Sequence, residues 1–179
     1  IMQNELNQFE KNLALFLRAK FALGVGNCTD GLLLAIKAAN IGSGDEVIFC
    51  SHTFVATASA IHFSGATPIP VECGKDHLID IKSIEAALTP RTKAIIPTQL
   101  NGQVCDMGAI LDLCKKYNLI LIEDAAQSLG AKYKNKSITS YADFTIFSFQ
   151  AIKHITSGDG GALCIRNKSL AKKAFRIRW

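Results

Sequence analysis

The segment FSFQAIKHITSGDGG, residues 147–161, places a single lysine, Lys153, between two short apolar runs. FTIFSF precedes the lysine and GALCI follows the glycines, and both runs have the length and composition of buried β-strands. The pattern predicts two adjacent core strands in one sheet. Their glycine-rich connection would allow the backbone to approach a ligand closely.

Lys153 has two interpretations at this position. Lysine is rarely buried without a partner, so an exposed loop residue is the ordinary interpretation. A desolvated lysine, however, has a lowered pKa and can act as a nucleophilic amine. The hydroxyls of Ser148 and Ser157 on either side, and the glycines behind it, favour the second interpretation.

A pair of carboxylates ends another apolar run, LILIEDAAQ, residues 119–127. Glu123 and Asp124 need partners there, because burying a charge without one is costly. A lysine combined with an aspartate at a strand end suits pyridoxal phosphate. That cofactor needs a Schiff-base lysine and an aspartate that keeps its pyridine nitrogen protonated.

Strand-like runs alternate with helical patterns along the whole chain. The predicted strands are residues 21–27, 46–50, 67–73 and 93–100, followed by LILIEDAA, FTIFSF and GALCIRN. The predicted helices are residues 5–20, 28–42, 51–65, 79–90, 106–118 and 168–179. This alternation of near-continuous apolar strands with helices predicts one α/β domain, residues 1–179, with a mostly parallel sheet covered on both faces. Pro68 and Pro70 favour an edge position for strand 67–73.

Composition and charge exclude several classes of protein. The chain has 179 residues, 49% hydrophobic and 20% charged, with a net charge of +5, which is ordinary for a globular domain. Basic residues near the end of the chain indicate the solvated face of a last helix rather than a nucleic-acid surface. No apolar run is long enough to cross a membrane. The six cysteines form no CxxC pair, which argues for core residues in a reducing, cytoplasmic setting and against a disulfide framework or a zinc site.

In open α/β sheets, ligands bind beyond the carboxyl ends of the strands. The first predicted strand ends in GNCTDG, where Thr29 and Asp30 begin a helix. The N–H groups at a helix start suit a phosphate, although plain helix capping is the alternative interpretation. The glycines match neither GxGxxG nor a P-loop, so a dinucleotide or ATP site is not indicated.

Two further strand ends carry polar or aromatic residues. Phe54, in CSHTFVAT, could be part of the core or lie flat on a cofactor ring, and His52 could be a simple polar cap at the start of a helix entered through Ser51 or Thr53. The segment PTQLNGQ places Gln99 and its polar neighbours on a loop.

With these residues in place, the chain resembles the DegT/StrS family of pyridoxal-phosphate sugar aminotransferases. The resemblance rests on these segments: CTDGLLLAI, SGDEVIFCSHTFVATASAI, GATPIPVE, RTKAIIPTQLNGQVCDM, LILIEDAAQSLGA and FSFQAIKHITSGDGGAL. They cover nearly the whole chain in order, and EDAAQ followed by SFxxxKHxT is highly specific.

The resemblance implies a fold and a set of roles. The fold would be a three-layer α/β/α domain with a mostly parallel seven-stranded sheet, as in the large domain of fold-type I aminotransferases. The resemblance implies that Lys153 forms the Schiff base, that Asp124 contacts the pyridine nitrogen, and that Gln127 lies near the ring's 3-hydroxyl side. It also implies that Phe54 stacks on the ring face. The residues implied to bind the cofactor phosphate are Thr29, Asp30 and Ser148.

The resemblance also implies transfer of an amino group from an amino acid, with glutamate expected, to a nucleotide-linked keto-sugar. The family works as a homodimer and has a smaller C-terminal domain, so this chain, which stops inside a helical pattern, is expected to be inactive and poorly soluble alone. One alternative is a dehydratase of the same family, but such a dehydratase lacks the Schiff-base lysine, so Lys153 argues against it. The other alternative is a non-catalytic fragment or a binding module. Members often have His at the position of Gln99 and Tyr at that of Asn101, near the substrate, so the sugar stays open.

Overall fold

The structure is a computed structural model, and it describes residues 2–178. The helices are α1 (Met2–Leu17), α2 (Cys28–Ala38), α3 (Val55–Ser64), α4 (Ile81–Ala87), α5 (Met107–Tyr117) and α6 (Lys168–Ile177). The strands are β1 (Phe21–Val25), β2 (Glu46–Cys50), β3 (Thr67–Val71), β4 (Thr92–Ile96), β5 (Ile120–Asp124), β6 (Lys132–Tyr133), β7 (Lys136–Ser137), β8 (Phe144–Ser148) and β9 (Gly161–Ile165). Within the described residues, no helix is long and apolar enough to cross a membrane.

Seven strands form one sheet in the order β1-β9-β8-β5-β4-β2-β3. The pairs from β8 through β5, β4 and β2 to β3 are parallel, whereas β9 runs antiparallel to both of its neighbours. The prediction of a mostly parallel seven-stranded sheet is therefore confirmed. Strand β3, with its two prolines, lies at the edge as expected.

Helices cover both faces of this sheet, because alternate strand residues point to opposite sides. On one face, α2, α3 and α6 pack against residues such as Phe144, Ile146 and Leu163. On the other face, α4 and α5 cover β2, β4 and β5, and α1 packs on Phe147 and Ala162. The result is the expected three-layer α/β/α arrangement.

Several local predictions need correction. Helix α2 is capped by Asn27, not by Thr29 or Asp30, since the Asn27 side chain accepts the Asp30 N–H. Helix α3 begins after Phe54 without a side-chain cap, so neither Ser51 nor Thr53 caps it. Asp106 caps α5 as predicted.

The polar connector between β5 and β8 contains an unpredicted hairpin, β6–β7. Its turn residues, Lys134 and Asn135, both have positive φ.

The basic end of the chain is only partly a solvated face, since Arg178 pairs with buried Glu10 and donates to the Gly24 carbonyl. Trp179, the end of the predicted last helix, lies outside the described residues.

Candidate active site

The loop between β8 and β9, residues 149–160, presents Lys153. Backbone hydrogen bonds at the base close this loop, with Phe149 N–H donating to the Gly160 carbonyl (2.9 Å) and Ser157 N–H donating to the Phe149 carbonyl (3.0 Å). Gly160 has a φ of +133°, a backbone conformation that residues other than glycine rarely adopt. Lys153 is half-buried rather than enclosed in the core.

Gly161 brings the start of β9 against the start of α2. A Cβ at this position would lie 2.7 Å from the Asn27 carbonyl carbon and 2.9 Å from the Cys28 nitrogen, so only glycine fits without a shift of the backbone. The close approach places the first turn of α2 beside the lysine loop. The N–H groups of a helix's first turn have no acceptor within the helix and attract anions.

A cavity of about 390 Å³ lies between the lysine loop, the start of α2 and the carboxyl ends of the central strands. Its lining residues are Asn27, Cys28, Thr29, Phe54, Ala56, Thr98, Asp124, Ala126, Gln127, Ser148, Gln150, Ile152, Lys153 and Asp159. Six of the seven residues to which the resemblance assigned a cofactor role are among them, brought together from four separate segments.

Asp30 does not line this cavity. Its N–H donates to Asn27 Oδ1 (2.9 Å), and its side chain lies beside Gly26 and borders a different cavity. Of the three residues that the resemblance assigned to the cofactor phosphate, Thr29 and Ser148 line this cavity and Asp30 does not. The amide of Asp30 is already used by the cap of α2.

Asp124 is 4% exposed, and two donors hold its carboxylate. Ala126 N–H donates to Oδ1 (3.1 Å) and the Thr57 hydroxyl donates to Oδ2 (2.9 Å). Burial raises the pKa of Asp124, while these two hydrogen bonds and the charge of Lys153 act in the opposite direction. A cationic ring nitrogen in the cavity would complete the compensation for this buried charge.

The Thr57 hydroxyl is the last member of a chain that begins in the cavity. Thr98 donates to Thr53 (2.8 Å), and Thr53 and Thr57 lie 2.9 Å apart. Each hydroxyl has one proton, and an ionised carboxylate can only accept, so the chain runs from Thr98 through Thr53 and Thr57 to Asp124. All three hydroxyls therefore stabilise the ionised form of Asp124.

The Thr57→Val variant removes this donor from a fully buried position while keeping the side-chain shape. We expect the free energy of unfolding at neutral pH to fall by about 1.5–3 kcal/mol, the usual worth of a hydrogen bond to a charged group. Urea unfolding measures the change. Thr57→Ser, which restores the hydroxyl, should recover most of the loss, and equal losses in both variants would mean that packing, not the hydrogen bond, is responsible.

Gln99 lies in the core, which corrects the expectation of a loop residue in a segment near the substrate. It is 0% exposed, its Nε2 donates to the buried Glu123 carboxylate, and its Oε1 accepts the Cys105 N–H (2.7 Å). The Thr145 hydroxyl donates to the other Glu123 oxygen (2.9 Å). Glu123 thus finds its partners inside the protein and faces away from the cavity that Asp124 borders.

Burial raises the pKa of Glu123 from its ordinary value of 4.5 to about 8. The folded protein therefore keeps a proton that the unfolded chain releases above pH 4.5, and stability is lost as pH rises from about 4.5 to about 8. The protonated acid keeps its contact with Thr145, because that hydroxyl can turn to accept.

In the parent protein the ionisation of Glu123 should lower the free energy of unfolding by about 2–4 kcal/mol between the low-pH and the high-pH end of this range. In the Glu123→Gln variant this loss should be absent. Urea unfolding of both proteins at about pH 5 and about pH 8.5 tests it. Exposed Glu85→Gln is the matched control. A slope in Glu123→Gln as steep as in the parent would show that Glu123 is ionised throughout.

Sequence reasoning missed several residues of the cavity. Cys28, which it assigned to the core, lines the cavity, and burial and the nearby Asp124 raise the pKa of its thiol well above 9.0. Thr98 and Asp159 also line it. Thr98 lies just after β4 and Asp159 just before β9, but the sequence does not show which way their side chains point.

The cavity residues fit pyridoxal phosphate. The volume is within the range of small-molecule sites. The cavity combines an amine, Lys153, a buried carboxylate, Asp124, and an exposed aromatic ring, Phe54, with a helix start that can bind an anion.

Comparison with known proteins agrees with this geometry. The model of the DegT/DnrJ/EryC1/StrS aminotransferase family matches residues 1–179. The chain belongs to this family. The resemblance drawn from EDAAQ and SFxxxKHxT is thereby confirmed.

Individual relatives in the DegT/DnrJ/EryC1/StrS family are similar over most of the chain. It is 45% identical to spore coat polysaccharide biosynthesis protein SpsC of Bacillus subtilis over 170 residues, 94% of this chain and 44% of that protein. It is 44% identical to the dTDP-3-amino-3,6-dideoxy-alpha-D-galactopyranose transaminase of Aneurinibacillus thermoaerophilus over 180 residues, 99% of this chain and 50% of that one. The solved structure of NtdA from Bacillus subtilis with bound cofactor PMP superposes with a TM-score of 0.91 at 36% identity, covering 96% of this chain and 39% of that one. The chain spans about half the length of the curated relatives it matches.

Proposed function

We propose that residues 1–179 form the cofactor-binding large domain of a pyridoxal-phosphate-dependent aminotransferase. The whole protein would transfer an amino group from an amino acid, with glutamate as the expected donor, to a keto-sugar carried on a nucleotide. The observation that carries the proposal is the single cavity in which Lys153, Asp124 and the start of α2 meet in a chain of this family.

Six of the lining residues have a task in this proposal. Pyridoxal phosphate, when bound, supplies an aldehyde that links to amines and a ring that withdraws electrons. Lys153 would hold the group covalently and afterwards carry a proton as a general base. Asp124, fixed by Thr57 and Ala126, would supply the negative charge for the pyridine nitrogen. Phe54, with 72% of its surface exposed, would cover the ring face.

The remaining predicted residues bind the cofactor's polar groups. Thr29, in the first turn of α2, and the Ser148 hydroxyl, at the end of β8, would bind the phosphate. Gln127 accepts the Asn101 N–H through its side-chain oxygen (2.8 Å), which leaves its NH₂ group free to donate toward the ring's hydroxyl side. Asp30 was expected at the phosphate as well; in this arrangement it serves only by fixing the cap of α2.

The substrate class is supported by relatives rather than by contacts of this chain. A dTDP-sugar transaminase and a polysaccharide biosynthesis protein are among the proteins similar over nearly all of it. Substrate choice would not involve Gln99, which is buried, whereas exposed Asn101 lies next to Gln127 at the cavity side. We therefore assign amino-sugar formation for cell-surface polysaccharide or a related product.

We propose a homodimer for the whole protein. Large apolar side chains are exposed around the cavity and on the neighbouring helices: Leu15, Phe16, Phe54, Val55, Phe63, Ile152 and Ile155. Apolar surface of this kind usually marks an interface. The same exposed surface supports the expectation that residues 1–179 alone are poorly soluble and inactive. The six free cysteines suit a cytoplasmic location.

The test is to incubate the whole protein with glutamate labelled with ¹⁵N at its amino group and a panel of nucleotide-linked 3- and 4-keto-sugars. The proposal expects the label in one sugar product, detected by mass spectrometry. A protein that binds pyridoxal phosphate but moves no label to any sugar, from glutamate or other amino acids, would contradict the sugar assignment. A dehydrated sugar without label would support the dehydratase alternative, which Lys153 disfavours.

A further inference from the structure

Three side chains with metal-binding atoms meet at the edge of the sheet, outside the cavity described above. His52 follows strand β2, Cys73 follows strand β3, and His77 lies in the turn after it. Their ligand atoms all lie within 4.8 Å of one another. The sequence argued against zinc because it has no CxxC pair. The fold, however, brings a Cys-x₃-His pair and a distant histidine together.

The turn that carries His77 is closed by its own hydrogen bonds. Gly74 N–H donates to the Leu78 carbonyl (2.8 Å), and His77 N–H donates to the Gly74 carbonyl (3.0 Å). The Asp76 carboxylate accepts the Leu78 N–H (3.1 Å). His77 is held at a φ of +65°, an uncommon conformation for a residue with a side chain.

This conformation turns His77 back toward Cys73 and His52. The two imidazole rings lie edge to face, with centroids 5.2 Å apart and planes at 77°. Cys73 is half-buried, while both histidines are exposed, so an ion can enter from solvent. Cys73 itself is fixed by its bridge to Ile79 on the far side of the turn.

The donor set selects the kind of ion. One thiolate and two imidazoles are the ligands that Zn²⁺ prefers, and three protein ligands leave a fourth tetrahedral position open. Glu72 and Asp76 flank Cys73 and His77 in the chain and Lys75 lies between them, so this turn carries a net negative charge. A hard cation such as Mg²⁺ or Ca²⁺ would prefer oxygen ligands, which this cluster does not provide.

We propose that His52, Cys73 and His77 bind a zinc ion with an open fourth position. The ion would link the segment before α3, which ends at Phe54, to the turn after edge strand β3. It would thereby restrain the backbone from which Phe54 reaches the cavity. The proposal is independent of the proposed function, since none of the three ligands lines that cavity.

The test is titration of the whole protein, stripped of metal with a chelator, with ZnSO₄ by calorimetry and with CoCl₂ by visible absorption. We expect one ion per chain. Four-coordinate Co²⁺ should give intense visible bands with a thiolate contribution. The heat of zinc binding should vary with the ionisation enthalpy of the buffer, since forming the thiolate releases a proton.

Separate variants of each ligand keep the proposal testable if one of them fails to fold. Cys73→Ser, His77→Asn and His52→Asn should each weaken zinc binding by more than about 100-fold, beyond the usual effect of changing a residue that only supports a ligand. The matched controls are His62→Asn, exposed on α3, and Cys114→Ser, buried in α5. Zinc binding in exposed His52→Asn equal to that in His62→Asn would overturn the proposal, as would a parent protein that binds no zinc.

Discussion

Replacing Lys153 with alanine should lower the rate of amino transfer by at least about 10⁴-fold. The amine is proposed both to hold the cofactor and to carry the proton, so its removal deletes two functions at once. The fold should survive, because Lys153 lies half-buried on a loop whose base is closed by backbone hydrogen bonds. The rate is measured in the whole protein with saturating cofactor.

Chemical rescue distinguishes lost chemistry from lost structure. Added methylamine should restore part of the rate of Lys153→Ala, because a small amine can enter the cavity and accept the proton. Lys153→Arg, which keeps the charge but does not form the covalent link, should remain inactive. Lys93→Ala, at an exposed position of β4, should behave like the parent. Unchanged turnover in Lys153→Ala would remove this residue from the mechanism.

The Asp124→Asn variant should lower the turnover rate by about 10²–10³-fold, comparable to removing one preorganised electrostatic contact. The amide keeps the shape of the side chain and can still accept the Ala126 N–H. It loses the charge that balances the pyridine nitrogen. The affinity for pyridoxal phosphate should change by less than about tenfold, since the other cavity contacts remain.

Two measurements separate these effects for Asp124→Asn. A cofactor titration followed by absorption gives the affinity, and exchange of the amino acid's α-proton with solvent gives the rate of proton abstraction. Exposed Asp112→Asn is the control. Full turnover in Asp124→Asn would mean that the carboxylate serves only the fold. A loss of cofactor affinity as large as the loss of rate would mean that it serves mainly in binding.

Most of the fold could be predicted from the sequence, because the residue patterns that determine each helix and strand are local. Apolar runs of five residues, prolines in β3 and the Asp106 cap each act within one element, and alternation of strands and helices limits the topology. Helix caps were predicted less well. Asn27 was overlooked in favour of Thr29 and Asp30, because several adjacent residues can serve as a cap and only backbone geometry selects one.

The position of the cavity could be predicted from the sequence because the carboxyl ends of parallel strands meet at one edge of the sheet. The directions of the side chains that line it could not. This rule placed Asp124 at that edge, and Lys153 was linked to it because pyridoxal phosphate needs both a lysine and an aspartate. It did not show that Gln99 turns inward to Glu123, or that Thr57 reaches Asp124 over 67 positions of sequence. Such pairs depend on which way a side chain turns after the strand ends. The same limit hid the cluster of His52, Cys73 and His77.

The covalent attachment of pyridoxal phosphate tests the central claim most directly. The whole protein is incubated with the cofactor, reduced with borohydride, digested and analysed by mass spectrometry. We expect one modified peptide, containing residues 147–161, with the added mass on Lys153 and none in Lys153→Ala. Modification of another lysine, with Lys153 unlabelled, would contradict it.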